Sequence, residues 1–169
     1  MIEVAVQAEP GWDEATDWDA LALAAVHAAL SVSPYPEIIT ASYAAEISIR
    51  LTDNDEVQAL NLAYRQKDKP TNVLSFPMVQ QDLLESLADS DDGEVLLGDI
   101  ILARQVCEAE AADKGVASSE HATHLIVHGT LHLLGYDHID DDEAEHMEDL
   151  ERAALAKLGL ADPYIVTDD

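Results

Sequence analysis

One helix dictates how this chain can fold. Between Ser119 and Leu134 the apolar side chains Leu125, Ile126, Val127, Leu131, Leu133 and Leu134 spread round the whole helical wheel at about 100° per residue. A helix that is apolar on every side belongs inside a protein, so the other elements must pack around it. Yet His121, His128 and His132 fall in one narrow stripe of that helix, with His124 at its edge. An unpaired buried polar group costs on the order of 1–3 kcal/mol, so these imidazoles need partners. One cation satisfies several of them at once.

The run from His128 to His138 shows how. His128 and His132 are four residues apart and project side by side from a helix. Gly135 can adopt the left-handed conformation that stops a helix. The chain then turns back and delivers His138 as a third ligand. Three protein ligands with a fourth position left to water describe a catalytic zinc site better than a structural one. His124, His128 and His132 on one straight helix span a rise of about 12 Å, too far for one ion. His124 is then either a residue behind the ligands or a group facing the same cleft. Asp99 and Asp137 are candidates to hold a ligand's second ring nitrogen, as metal-bound imidazoles usually require, or are turn residues. His27 and His146 read as surface or packing residues. The spacing resembles that of the metzincin metalloproteases, which carry Glu directly after the first His as a general base. Here that place is Gly129.

Charge bounds the partners. The chain has 169 residues, 35 acids against 8 Lys plus Arg, and a formal net charge of −27. Such a field repels polyanions at long range. It is uneven, however: acids crowd 82–99 and 137–151, and three of the eight strong bases, Arg65, Lys67 and Lys69, sit within five residues. No apolar run approaches the roughly 20 residues of a membrane span. No secretion signal opens the chain. The single cysteine, Cys107, fits a reducing cytoplasm and reads as a small buried hydrophobe.

The pattern predicts one domain over residues 1–169. Ile2 to Val6 reads as a strand. Trp18, Leu21, Ala22, Ala25, Val26 and Ala29 recur at helical spacing up to Pro34 and Pro36. Ala45, Ile47, Ile49 and Leu51 alternate as a half-buried strand. Asp53 with Glu56 forms a capping box for a helix presenting Val57, Leu60 and Tyr64. Val73 to Phe76 is a strand closed by Pro77, and 80–92 is a surface excursion. A buried strand from Val95 to Leu102 is interrupted at Gly98-Asp99. A helix follows through Cys107 to Lys114, and Ser118 or Ser119 caps the next one. The last helix opens on Asp140 to Glu143, beside its positive N-terminal dipole. It carries a stripe of Ala144, Met147, Leu150, Ala154 and Leu158. This order predicts an α/β domain in which a mixed sheet of about four strands packs against about five helices.

Two separated motifs resemble the YbeY family of bacterial endoribonucleases, also called rRNA maturation factors. One is His124-Leu125-Ile126-Val127 running into the segment from His128 to His138. The other is Asn61-Leu62-Ala63-Tyr64-Arg65 followed by Lys67-Asp68-Lys69-Pro70-Thr71-Asn72-Val73-Leu74-Ser75-Phe76-Pro77. Leu97-Gly98-Asp99-Ile100 and Asp141-Asp142-Glu143-Ala144-Glu145 are also similar. The likeness spans roughly Glu46 to Leu150. It departs at Asn72, where Asp is also common, and at Gln66, where a small residue is frequent. The resemblance implies an α/β fold with a metal at the base of a cleft. It implies one Zn2+ per chain on His128, His132 and His138, and a functional arginine at Arg65. It implies a cytoplasmic enzyme that cleaves single-stranded RNA rather than DNA, matures the 3′ end of 16S rRNA and monitors the small ribosomal subunit.

Zinc can act as a Lewis acid on a phosphoryl oxygen or acidify water, which replaces part of the missing Glu base. Arg65 is placed to clamp phosphate with its planar fork of donors. Lys67 and Lys69 are expected to guide the backbone of the substrate, or else form a solvated loop. Two competing readings stand beside this one. A metallopeptidase needs a carboxylate from elsewhere, Glu120 or Asp99, as its base. A non-catalytic ribosome-associated protein uses zinc only to order its fold.

Overall fold

The computed structural model describes residues 1–79, 94–136 and 140–164. The expected surface excursion at 80–92, and both Asp137 and His138, lie outside the described residues. The described chain runs β1 (Ile2–Ala8), α1 (Trp18–Val32), a short 3-10 helix (Pro36–Thr40), β2 (Ala44–Thr52), α2 (Asn54–Arg65), β3 (Val73–Pro77), β4 (Glu94–Ala103), α3 (Arg104–Lys114), α4 (Ser118–Leu133) and α5 (Asp141–Lys157). Among the described residues the expected α/β domain forms, with four strands in a mixed sheet and five α-helices.

The sheet order is β1-β2-β4-β3. The β1–β2 and β2–β4 pairs are parallel and β3 is antiparallel to β4. Parallel neighbours need a crossover, and α1 supplies it between β1 and β2. Alternation sets the buried face of β2: Ala45, Ile47, Ile49 and Leu51 are buried while Glu46 is exposed. On that face lie α1 and α4, with α5 packed against both helices. The wrap-round apolar surface of α4 is thereby used: it touches α1, α3, α5, β3 and β4. A smaller cluster of Val57, Leu74, Ile101 and Ala103 packs beneath α2.

Three local expectations need correction. The strand at 95–102 is not interrupted. β4 is continuous, and a register shift opposite Glu46 and Ile47 accommodates one extra residue. Gly98 (φ +155°) is required there because a Cβ would come within 2.5 Å of both the Phe76 carbonyl oxygen and Leu133 Cδ2. Neither Ser118 nor Ser119 caps α4; both lie inside its first turn, after an extended Ala117 with no capping side chain. The capping box of α2 is half formed. Asp53 accepts from the Glu56 N–H at 2.9 Å. The Glu56 carboxylate instead accepts from Arg50 at 2.6 and 2.9 Å and from Thr52 at 2.5 Å. That pairing holds the Glu56 carboxyl below the usual range, chiefly through the Arg50 hydrogen bond.

Cys107 is buried under α4, and burial together with Glu110 and Glu108 pushes its thiol up to about 12. It is the inert hydrophobe the sequence suggested. No described helix is long and apolar enough to cross a membrane.

Candidate functional site

The final turn of α4 builds one wall of a cleft. Gly135 takes φ +98° and turns the chain back on the helix end. This return places the Tyr136 carbonyl 2.8 Å from His132 Nδ1. On the neighbouring helix α5, the Glu151 carboxylate lies 2.5 Å from His128 Nδ1. A carbonyl or carboxylate oxygen only accepts, so both Nδ1 atoms donate. In the neutral rings both Nε2 atoms then carry lone pairs, and these two atoms stand 3.0 Å apart. Two nitrogens sharing one tetrahedral zinc at about 2.0–2.1 Å lie about 3.3 Å apart, close to this spacing. Among the described residues no group of three or more metal-ligating side chains converges. The described part of this site contributes two imidazoles.

Glu151 is the residue that sequence reasoning missed. It is completely buried on α5. Its Oε2 accepts from the Tyr164 hydroxyl at 2.5 Å, and His124 Nε2 lies 3.4 Å from Oε1. Burial pushes the Glu151 carboxyl up. Hydrogen bonds from His124, His128 and the Tyr164 hydroxyl bring it down to about 2 nonetheless. The signal was present in the sequence. Met147, Glu151, Ala154 and Leu155 form the buried face of α5, so an acid occupies a core position. The structure also answers what His124 does: it stands behind His128 against Glu151 and Tyr164 and does not line the cleft. Its Nδ1 is buried with no hydrogen-bond partner among the described residues. Asp99, a candidate to hold a ligand's second ring nitrogen or else a turn residue, does neither for the two described rings. It is half-buried on β4, in register with Ser48 and Phe76, and the described holders of the Nδ1 atoms are Glu151 and the Tyr136 carbonyl. His27 is half-buried on α1, and the exposed His146 stacks near Tyr136 at 5.5 Å.

The opposite wall comes from the α2–β3 connection. The cleft measures about 530 Å³ and is lined by Arg65, Thr71, Asn72, Val73, Ser75, Pro77, His128, His132, Gly135 and Tyr136. Arg65, His128 and His132 are thus brought together. Arg65 ends α2, is exposed, and donates from Nη2 to the Ser75 carbonyl at 3.3 Å. The other three arginines, Arg50, Arg104 and Arg152, are each ion-paired with carboxylates. Arg65 has no ion pair among the described residues. On a chain with 35 acids, the described lining of this cleft contains no carboxylate at all. Lys67 and Lys69 are exposed on the loop after α2 and do not line the cleft.

A family model described as endoribonuclease YbeY matches residues 12–159. The chain belongs to the YbeY family. A Rhizorhabdus wittichii protein named endoribonuclease YbeY is 72% identical over 169 residues, covering all of both chains. A Sphingopyxis alaskensis protein of the same name is 56% identical, over 99% of this chain and 100% of the relative. The fold is shared with the solution structure of a Thermotoga maritima protein, at a TM-score of 0.51 and 21% identity, over 94% of this chain and 92% of that one.

Within this YbeY-family chain, position 129 has a packing reason to be glycine. A Cβ on Gly129 would meet Ile100 Cγ2 at 2.9 Å and Cδ1 at 3.2 Å, and Ile100 is wholly buried. Position 129 therefore seats α4 on β4, and a Glu there would displace core. Neither substitute base considered for a peptidase is placed for the task. Glu120 lies in the first turn of α4, at the end opposite His132, and neither it nor Asp99 lines the cleft.

Proposed function

We propose that this chain is a zinc-dependent endoribonuclease specific for single-stranded RNA, acting in the cytoplasm on 16S rRNA 3′ ends and in quality control of the small ribosomal subunit. The relatives named endoribonuclease support the reaction class. One observation carries the reading to this site: a strongly acidic protein keeps carboxylates out of the described cleft lining and presents an arginine with no ion pair among the described residues opposite two histidine Nε2 atoms. Such a surface suits a phosphodiester.

His128 and His132 are the residues that would hold zinc, joined by His138. The chemistry that zinc supplies when bound is Lewis acidity towards a phosphoryl oxygen or a water molecule. The Arg65 guanidinium binds non-bridging phosphate oxygens through its planar fork and balances the charge that builds at phosphorus. The Ser75 carbonyl orients it by accepting a hydrogen bond from Nη2. The Tyr136 carbonyl and Glu151 keep the Nδ1 protons on His132 and His128, so each ring keeps its Nε2 lone pair toward the cleft. Lys67 and Lys69 lie outside the lining and act as point charges on flanking phosphates.

The test couples metal analysis of protein purified without chelators to single-turnover cleavage of a single-stranded RNA panel. A mixed peptide library runs in parallel. The expected result is about one zinc per chain, RNA cleavage lost with the metal, and no peptide cleavage. Full nuclease activity after rigorous metal removal overturns the zinc dependence. Peptide turnover without RNA turnover overturns the substrate.

A further inference from the structure

We propose that Glu151 and Tyr164 are positioning residues for the histidine centre, and that the turn at 162–164 latches them in place. This rests on reading His128 as a metal ligand.

The geometry forms a chain of contacts from the end of the described structure to the cleft. Arg152 on α5 donates from Nε to Asp162 Oδ2 at 3.0 Å. Asp162 Oδ1 accepts the Tyr164 N–H at 2.8 Å, which folds the turn back toward α5. The Arg152 guanidinium then sits 5.2 Å from the Tyr164 ring centroid, within cation–π range. So held, the Tyr164 hydroxyl donates to Glu151 Oε2 at 2.5 Å, leaving Oε1 for His128 Nδ1 at 2.5 Å. The Tyr164 ring also closes edge-on against His124 at 5.6 Å.

A wholly buried carboxylate is a demanding thing to keep. Its hydrogen-bonding partners among the described residues are histidines and a tyrosine, with no lysine or arginine in contact. Had the core needed only packing, an apolar residue at 151 would do better. What the carboxylate adds is direction. It fixes the His128 tautomer and ring angle and makes the ring a stronger donor, and Tyr164 fixes the carboxylate. Neither residue itself lines the cleft, so they act through His128, which does.

The experiment uses the full chain with E151Q and Y164F. Zinc affinity is measured by competition with a chromophoric chelator. The His128 tautomer is read from ring 15N shifts in zinc-free protein, and kcat and KM are taken on single-stranded RNA. Losses of metal affinity of about 10–100-fold are typical when such a partner is removed. We expect E151Q to fall in that range and Y164F to lose less, in the same direction. His128 should be Nδ1-protonated in wild type and mixed in E151Q. At saturating zinc, kcat should fall while KM for RNA holds. If E151Q does not fold, Y164F alone decides, since it removes one oxygen. Wild-type zinc affinity in Y164F, with an unchanged His128 tautomer, overturns the proposal. Failure of wild type itself to bind zinc would instead sink the reading on which it rests.

Discussion

His128 and Arg65 face the same cleft from walls built on opposite principles. The histidine wall is two packed helices, and both imidazoles are fixed at Nδ1 by an acceptor behind them. The arginine wall is the end of α2 and the start of β3, and among the described residues its exposed guanidinium has a single 3.3 Å bond, to a backbone carbonyl. On the proposed reading, with zinc on one wall and phosphate on the other, the difference follows from what each ligand tolerates. A zinc ion fixes ligand distances to within about 0.2 Å, so donors already held in place lose little freedom when it binds. A phosphate in a flexible RNA strand comes at varied angles, and a long side chain with several donors can follow it. One wall sets geometry and the other supplies adaptable charge.

The strongest way to break this comparison is to remove a fixed ligand. His132→Ala should take zinc content from one per chain to near zero. It should reduce RNA cleavage by more than about a thousandfold, because the Lewis acid goes with the ligand. Metal analysis and single-turnover cleavage on the same preparation check this. Retention of zinc at wild-type affinity would show that His132 is not part of the centre.

Arg65→Ala should separate the walls. Cleavage should fall by about a hundredfold in kcat/KM, or about 2.7 kcal/mol of transition-state stabilisation, while zinc stays near one per chain. Loss of metal in this variant would make the two walls one structural unit. Salt sharpens the same point. Single-stranded binding falls with log salt at about 0.7 per phosphate contact. With Arg65 in the cleft and Lys67 and Lys69 outside it, the slope should be shallow, no steeper than about −2. Arg65→Ala should flatten it by roughly 0.7. A steep wild-type slope would mean that basic groups beyond these three meet the RNA.

The histidine wall was more legible in the sequence than its supports. Spacing of four residues and a glycine three after His132 place two rings and a returning chain, because these are rules of one helix. Gly129 was legible only as a missing base; its packing against Ile100 depends on where α4 meets β4. Glu151 could be read only by placing α5 on its core face, where an acid interrupts the apolar series Met147, Ala154 and Leu155. The Tyr164 contact belongs to a turn whose geometry no periodicity describes. Arg65 came from a family motif, and no local rule says that the acids leave its cleft alone. The Gly98-Asp99 pair misled because it reads as a turn, whereas β4 runs through it in register with Ile47 and Ser48 and the extra residue of the bulge is Leu97. Alternation and capping gave the helix and strand order. The half-made cap at Glu56 differs because a neighbouring arginine outcompetes a backbone N–H for the carboxylate.

A smaller effect tests how closed the histidine wall is. Burial holds the His121 imidazole below its ordinary pKa, although the Nε2–H donated to Glu110 at 2.9 Å works the other way. The unfolded chain therefore takes up this proton first as pH falls. His121 contributes stability that is fully present above about pH 6.5 and is lost below it. His121→Gln keeps a donor for Glu110 but does not titrate. The gap in urea midpoint between wild type and variant should therefore shrink between pH 7.5 and pH 5.5. A gap that widens on acidification would mean that His121 is charged in the fold and that this wall admits water.

The smallest expected effect lies on the arginine wall, at the residue beside Arg65. Gln66 ends α2 with φ 60° and ψ 30°, and it is the one non-glycine residue at positive φ among the described residues. Its N–H donates to the Asn61 and Leu62 carbonyls, so the left-handed conformation completes the helix end. A side chain there costs roughly 1–2 kcal/mol through the contact of Cβ with the following carbonyl oxygen. Glycine removes that contact and returns part of the gain as unfolded-state entropy. Gln66→Gly should raise stability by about 0.5–1 kcal/mol, read as a shift in urea midpoint at constant slope. KM for RNA should change less than about twofold, because an adaptable arginine tolerates a small change in its backbone anchor. A large rise in KM with zinc content unchanged would show that Arg65 is held as strictly as the histidines. The contrast between a fixed wall and an adaptable one would then have to be given up.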